Sequence, residues 1–117
     1  MKTVLIVDDA EILRLTIKEI VTKNGYEVIG EAGDGKTGVE MYEKLNPDIV
    51  TMDVTMSGIT GLEALKQIIA YDPDAKIVII SAMGQDLIVK DAIVFGAKSF
   101  IVKPFGEQQI IDTFRKL

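Results

Sequence analysis

Four apolar stretches of this sequence each end in a side chain suited to phosphoryl chemistry. Val4-Leu5-Ile6-Val7 runs into the adjacent carboxylates Asp8 and Asp9, and Ile49-Val50-Thr51-Met52 into Asp53. Ile77-Val78-Ile79-Ile80 ends at Ser81, and Phe100-Ile101-Val102 at Lys103. A single carboxylate can attack a phosphoryl donor and form an aspartyl-phosphate. An adjacent carboxylate pair suits a hard divalent cation. An ammonium beside them would offset charge on the transferring oxygens, and a hydroxyl could donate a hydrogen bond to one of them. The expected roles follow: Asp53 reacts, Asp8 and Asp9 hold metal with it, Lys103 supplies counter-charge and Ser81 donates.

Each of these residues alone has an ordinary structural use. Aspartate is common in the turn between a strand and a helix, and Asp9 could cap the helix that follows it. Together they make a different case, because three carboxylates in one crevice repel each other. Two like charges ~4 Å apart cost about 4 kcal/mol at an effective dielectric of about 20. A divalent cation and the Lys103 ammonium are the groups that would offset this. The chain has no cysteine and no histidine, which removes thiol chemistry, imidazole bases and the usual zinc ligands. Metal would be held by oxygen, pointing to Mg2+, Mn2+ or Ca2+. Without histidine the chain cannot carry a phosphohistidine, so the donor is external.

The elements that must position these groups read as alternating strands and helices. Strands are expected at Thr3 to Val7, Tyr26 to Ala32, the run ending at Asp53, Lys76 to Ile80 and Ser99 to Val102. They are aliphatic runs, as strands buried on both faces are. Between them lie helices: Glu11 to Lys23 with Leu13, Ile17, Ile20 and Val21, then one with Val39, Met41, Tyr42 and Leu45. A third carries Leu62, Leu65, Ile68 and Ile69, a fourth (Gln85 to Phe95) Leu87, Ile88, Ala92 and Ile93, and the last Ile110, Ile111, Phe114 and Leu117. Five strand–helix units with short turns imply an α/β fold, a parallel sheet with helices on both faces. The flavodoxin-like strand order 2-1-3-4-5 would set the ends bearing Asp8, Asp9 and Asp53 side by side at its switch point.

Composition narrows the function. At 117 residues, 48% hydrophobic and 6% aromatic, residues 1–117 are expected to form one domain with an aliphatic core. A formal charge of -5 with scattered lysines and arginines argues against direct nucleic-acid binding. Met1-Lys2-Thr3 leads straight into a strand, so no signal peptide is expected, and no apolar run nears the ~18 residues of a membrane span. A cytoplasmic protein is expected.

The run from Val4-Leu5-Ile6-Val7-Asp8-Asp9 through Asp53 and Ser81-Ala82 to Lys103-Pro104-Phe105 resembles the receiver domains of two-component response regulators. The likeness covers essentially the whole chain. It implies that Asp53 accepts a phosphoryl group from a histidine kinase or a small-molecule donor. It also implies Mg2+ bound by Asp8, Asp9, Asp53 and the Thr55 carbonyl, with Ser81 and Lys103 on the phosphoryl group. Phe100 would be a switch aromatic that turns inward as the Ser81 hydroxyl moves, and the Lys103–Pro104 peptide would be cis. Partners would meet the face formed by the fourth helix, fifth strand and fifth helix. Ser57 departs from the proline usual in the family, leaving φ unfixed there. Thr55 and Met83 occupy positions that tune hydrolysis of the acyl phosphate. Neither is acidic or an amide, so slow self-dephosphorylation is expected rather than enzyme turnover.

Within the family, Ser81-Ala82-Met83-Gly84-Gln85, Phe100-Ile101-Val102-Lys103-Pro104-Phe105 and Asp48-Ile49-Val50-Thr51-Met52-Asp53 resemble the CheY-type chemotaxis regulators. That likeness implies a switch, monomeric when unphosphorylated, that docks on a partner such as a flagellar motor switch protein. The alternative is the amino-terminal receiver of a longer DNA-binding regulator that acts by dimerisation. A phosphatase would need a general acid or base beside Asp53, and no histidine or suitable neighbour offers one. A flavin module would want a phosphate-cradling first loop, where Asp8-Asp9-Ala10-Glu11 would repel phosphate.

Overall fold

A computed structural model of the chain describes residues 1–56 and 58–117. The expectation concerning Ser57 lies outside the described residues. The element order is β1 (Thr3–Val7), α1 (Glu11–Lys23), β2 (Glu27–Ala32), α2 (Gly35–Leu45), β3 (Ile49–Asp53), α3 (Gly61–Tyr71), β4 (Ile77–Ser81), α4 (Asp86–Val94), β5 (Ser99–Val102) and α5 (Glu107–Arg115). The strands form one parallel sheet in the order β2-β1-β3-β4-β5. This is the expected flavodoxin-like α/β arrangement. No helix among the described residues is long and apolar enough to cross a membrane.

The period-2 alternation of the strands divides the core into two layers. Leu5, Val7, Val50, Met52, Ile77 and Ile79 pack with α2, α3 and α4 through Val39, Tyr42, Ala64, Leu65, Ile68, Val89 and Ala92. Val4, Ile6, Ile49, Val78, Ile80 and Ile101 pack with α1 and α5 through Ile17, Val21, Ile110, Ile111 and Phe114. Extending that alternation gives Asp8, Asp53 and Lys103 the side of the sheet that bears α1 and α5. Ser81 falls on the other side.

Local chemistry explains where the elements begin. Asp34 caps α2 by accepting the Thr37 N–H at 2.8 Å, and Thr60 caps α3 by accepting the Glu63 N–H at 3.2 Å. Asp48 accepts the Thr3 N–H at 2.8 Å, closing the edge of the sheet away from the strand ends that carry the acidic cluster. One detail differs from the sequence expectation, and one was not foreseen. In α4 the expected Ala92 is buried and Ile88 packs against the core, but Val89 joins them and Leu87 is 79% and Ile93 41% exposed. In β2 the pairing with β1 shifts by one between Val4 and Leu5, so that Ile29 is an extra residue and Gly30, not Ile29, faces Leu5.

Candidate functional site

The carboxyl ends of β1, β3 and β5 converge on one acidic crevice. Asp8 is 1% exposed and is held from both ends: its N–H donates to Ala32 O at 3.0 Å, and its Oδ1 accepts the Ala10 N–H at 2.8 Å. The other oxygen, Oδ2, is buried with no hydrogen-bond partner among the described residues. Asp9, next in the chain, is exposed. It does not cap α1, whose N-cap is Ala10 with no side-chain hydrogen bond. The capping role weighed for Asp9 is therefore not what it does.

Asp53 closes β3 opposite Ile80 of β4 and is 4% exposed. The Thr55 N–H reaches its Oδ1 at 3.4 Å, so Thr55 meets the cluster through its amide. Below the carboxylate the chain turns back tightly, with the Gly61 N–H donating to Val54 O at 3.0 Å. A Cβ on Gly61 would lie 1.9 Å from the carbonyl oxygen of Asp53, so only glycine fits. That requirement was not read from the sequence. Its one sign was a glycine at the first helical position behind a threonine cap.

One ligand oxygen from each of Asp8, Asp9 and Asp53 falls within 4.8 Å of the others. Lys103 Nζ lies 3.7 Å from Asp8 Oδ2 and 3.7 Å from Asp53 Oδ1. The Lys103 N–H donates to Ser81 O at 2.7 Å, and the Lys103–Pro104 peptide is cis. Burial pushes the Asp53 carboxyl up to about 6, and the charge of Asp8 adds to the rise. Lys103 and the Thr55 N–H oppose it. An all-oxygen donor set with a buried, unsatisfied carboxylate oxygen fits a hard divalent cation such as Mg2+.

The other expected residues lie close by but apart from this cluster. Ser81 pairs with Val102 at the end of β4, and its buried Oγ has no hydrogen-bond partner among the described residues. Phe100 is 47% exposed on β5 and lines a groove of about 420 Å³ with Asp86, Val89, Lys90, Ile93, Val94 and Val102. The sequence reading passed over Arg14, whose Nη1 donates to the Asp8 carbonyl at 2.7 Å. Its signal was faint: a cation on the half-buried side of α1, between Ala10 and Ile17.

A doubly wound parallel sheet with this acidic cluster at its carboxyl edge is consistent with a phosphoacceptor domain. The Response regulator receiver domain profile matches residues 4–115, and the chain belongs to that family. It is 53% identical to the chemotaxis protein CheY of Thermotoga maritima, over 99% of this chain and 97% of that one. It is 50% identical to CheY of Bacillus subtilis, over 97% and 94%. Among solved structures it resembles a chain of the CheX-CheY-BeF3-Mg+2 complex from Borrelia burgdorferi, with a TM-score of 0.94 and 37% identity, covering 98% of this chain and 87% of that one. Family membership makes the protein a receiver-domain switch rather than a turnover enzyme.

Proposed function

We propose that this chain is a chemotaxis-type signalling switch in which Asp53 accepts a phosphoryl group from a histidine kinase or a small acyl phosphate. The observation that carries the reading is the approach of Asp8, Asp9 and Asp53 within 4.8 Å, with one ammonium 3.7 Å from two of them. An Asp53 oxygen forms the bond to phosphorus while the donor's phosphorus–nitrogen or phosphorus–oxygen bond breaks. The leaving group keeps the electron pair. Asp8, Asp9, Asp53 and the Thr55 carbonyl are the ligands assigned to Mg2+, which when bound supplies positive charge beside the transferring oxygens. Lys103 adds a second positive charge there. The Ser81 hydroxyl, buried without a partner among the described residues, is the donor available to a phosphoryl oxygen. That the Borrelia relative was crystallised with BeF3 and Mg+2 supports this assignment.

The output follows from the exposed face of α4, β5 and α5. Phe100 faces outward in this structure, lining an apolar groove with exposed Val94, and Leu87 is exposed on the same helix α4. In our reading phosphorylation draws the Ser81 hydroxyl toward Asp53, Phe100 follows inward, and the face changes its affinity for a flagellar motor switch protein. The kinship with proteins named for chemotaxis favours that partner.

The test is incubation with Mg2+ and acetyl phosphate, followed by intact mass and peptide mapping. The expected result is one phosphoryl group on Asp53, lost with a chelator and in Asp53→Asn. Uptake on another residue, or uptake surviving Asp53→Asn, would overturn the assignment. For the output, a motor switch peptide is expected to bind the phosphorylated form more tightly, and equal binding to both forms would remove that partner.

A further inference from the structure

We infer that Arg14 is a positioning residue for the divalent cation, acting through the peptide unit that joins Asp8 to Asp9. The inference rests on the reading of those two carboxylates as cation ligands. Arg14 Nη1 donates to the Asp8 carbonyl oxygen at 2.7 Å, a short, charge-assisted hydrogen bond. That oxygen belongs to the planar group linking the two aspartates, so fixing it fixes the orientation of the plane from which both residues project. Ala10, the N-cap of α1, offers no side-chain hydrogen bond, and the Ala10 N–H is taken by the Asp8 side chain rather than by Asp9. Asp9 itself has no side-chain hydrogen bond among those of the described residues, so the peptide plane is what aims it.

The guanidinium is in turn held from β2, with Arg14 Nε 3.4 Å from Glu31 Oε1. Glu31 reaches α1 because of the extra residue in β2. With Ile29 inserted, Glu31 pairs with Ile6, whose side of the sheet bears α1. In an unbroken register it would pair with Val7 and point to the other side, since a slip of one residue reverses every side chain. The chain of support runs from the irregularity in β2 to Glu31, to Arg14, to the Asp8–Asp9 peptide. Lys18 also pairs with Glu31, at 3.5 Å, yet makes no hydrogen bond to the loop.

Positioning and simple charge give opposite signs. Arg14 is a cation near a proposed cation site, so by charge alone its removal would tighten binding of Mg2+. As a positioning residue, its removal weakens binding. The test is calorimetric titration of the full chain with MgCl2 at neutral pH, alongside thermal unfolding without metal. Arg14→Met is expected to raise the Mg2+ dissociation constant about tenfold, the scale of a lost supporting contact behind a ligand. Lys18→Met, which removes a similar charge, should bind as the wild type does or more tightly. Arg14→Lys, keeping a donor, should recover part of the loss, and Glu31→Gln should show part of it. The Asp9 and Ala10 amide resonances should shift in Arg14→Met before metal is added. Should Arg14→Met fail to fold, Glu31→Gln decides with the same readout.

Mg2+ binding by folded Arg14→Met as tight as, or tighter than, that of the wild type would overturn the inference while leaving the cation site standing. Wild-type affinity retained in Asp9→Asn would instead remove the reading beneath it.

Discussion

Lys103 Nζ stands 3.7 Å from Asp53 Oδ1 across the intervening strand β4, and the same ammonium is 3.7 Å from Asp8 Oδ2. One cation thus serves two buried carboxylates, with Asp9 a third acid at the rim. The crevice keeps a surplus of negative charge when all are ionised. That surplus, added to burial, is why the Asp53 carboxyl titrates high.

Removing the ammonium should expose the repulsion it offsets. Lys103→Met is expected to lower metal-free stability at pH 7 by about 1–3 kcal/mol, since it leaves two buried carboxylates without a counter-charge. The Asp53 carboxyl should move further up, and Mg2+ should bind more tightly with a competing cation gone. Urea unfolding and a carboxyl-detected titration check these together. Unchanged stability at pH 7 would show that Lys103 is not the offsetting charge.

Asp53 itself should cost the metal-free fold stability at neutral pH. Its folded value of about 6 lies above the ordinary 3.8, so between those values the native state binds more protons than the unfolded chain. The Asp53 contribution is therefore most favourable below about pH 4 and is lost as pH rises through about 6. The full shift corresponds to about 3 kcal/mol, reduced to about 1–2 kcal/mol by solvent at the Asp9 side of the crevice. Asp53→Asn is expected to be more stable than the wild type by that amount at pH 7, with the gain vanishing near pH 4. Urea unfolding across pH 4–8 without metal checks it, and a variant less stable at pH 7 would contradict the sign.

The acidic cluster was legible in the sequence because a parallel sheet writes its strands as unbroken aliphatic runs. Val4–Val7, Ile49–Met52 and Ile77–Ile80 are buried on both faces, and their ends mark the crevice edge whatever the helices do. Register was not legible. The Ile29 irregularity depends on how β2 meets β1, and Gly30 only hints at it through the 2.6 Å approach that a Cβ there would make to Met41. The face of α4 was legible only in part for a related reason: Ala92 is buried and Ile88 packs against the core, but Leu87 and Ile93 are exposed. Six of the nine residues of Asp86–Val94 are apolar and spread around the helix, so periodicity alone cannot say which stripe the sheet will cover. The sheet takes Val89 and Ala92, leaving Leu87 outside.

The close turn behind β3 should be intolerant of a single added methyl. On Gly61 it would stand 1.9 Å from the Asp53 carbonyl oxygen and 2.7 Å from Val54 Cα, both backbone atoms that cannot rotate away. Gly61→Ala is expected to cost about 3 kcal/mol or more, well above the usual effect of a surface substitution. It should also lower the phosphorylation rate in whatever fraction stays folded, because the displaced carbonyl belongs to Asp53. Gly106→Ala, with open space around its Cβ position, is the matched control and should change stability by less than about 0.5 kcal/mol. Equal melting temperatures for the two variants would contradict the tight turn.

The proposed output face can be separated from the fold because its apolar side chains contribute little to the core. Leu87 and Val94 are 79% and 73% exposed on α4, and Phe100 is 47% exposed on β5. Val94 and Phe100 line one groove, and exposed apolar groups gathered in this way are characteristic of binding faces. Leu87→Gln and Val94→Gln keep good helix formers and should alter stability by no more than about 0.5 kcal/mol. Phosphorylation at Asp53 should proceed at the wild-type rate, since neither residue touches the crevice. Binding of the phosphorylated protein to a motor switch peptide should weaken at least about tenfold if these side chains anchor the partner, the loss typical of truncating a buried interface residue. Fluorescence titration of each phosphorylated variant measures it. Full binding in the double variant would move the docking surface off α4, toward α5, where the same titration with substitutions at exposed Gln108 and Asp112 would locate it.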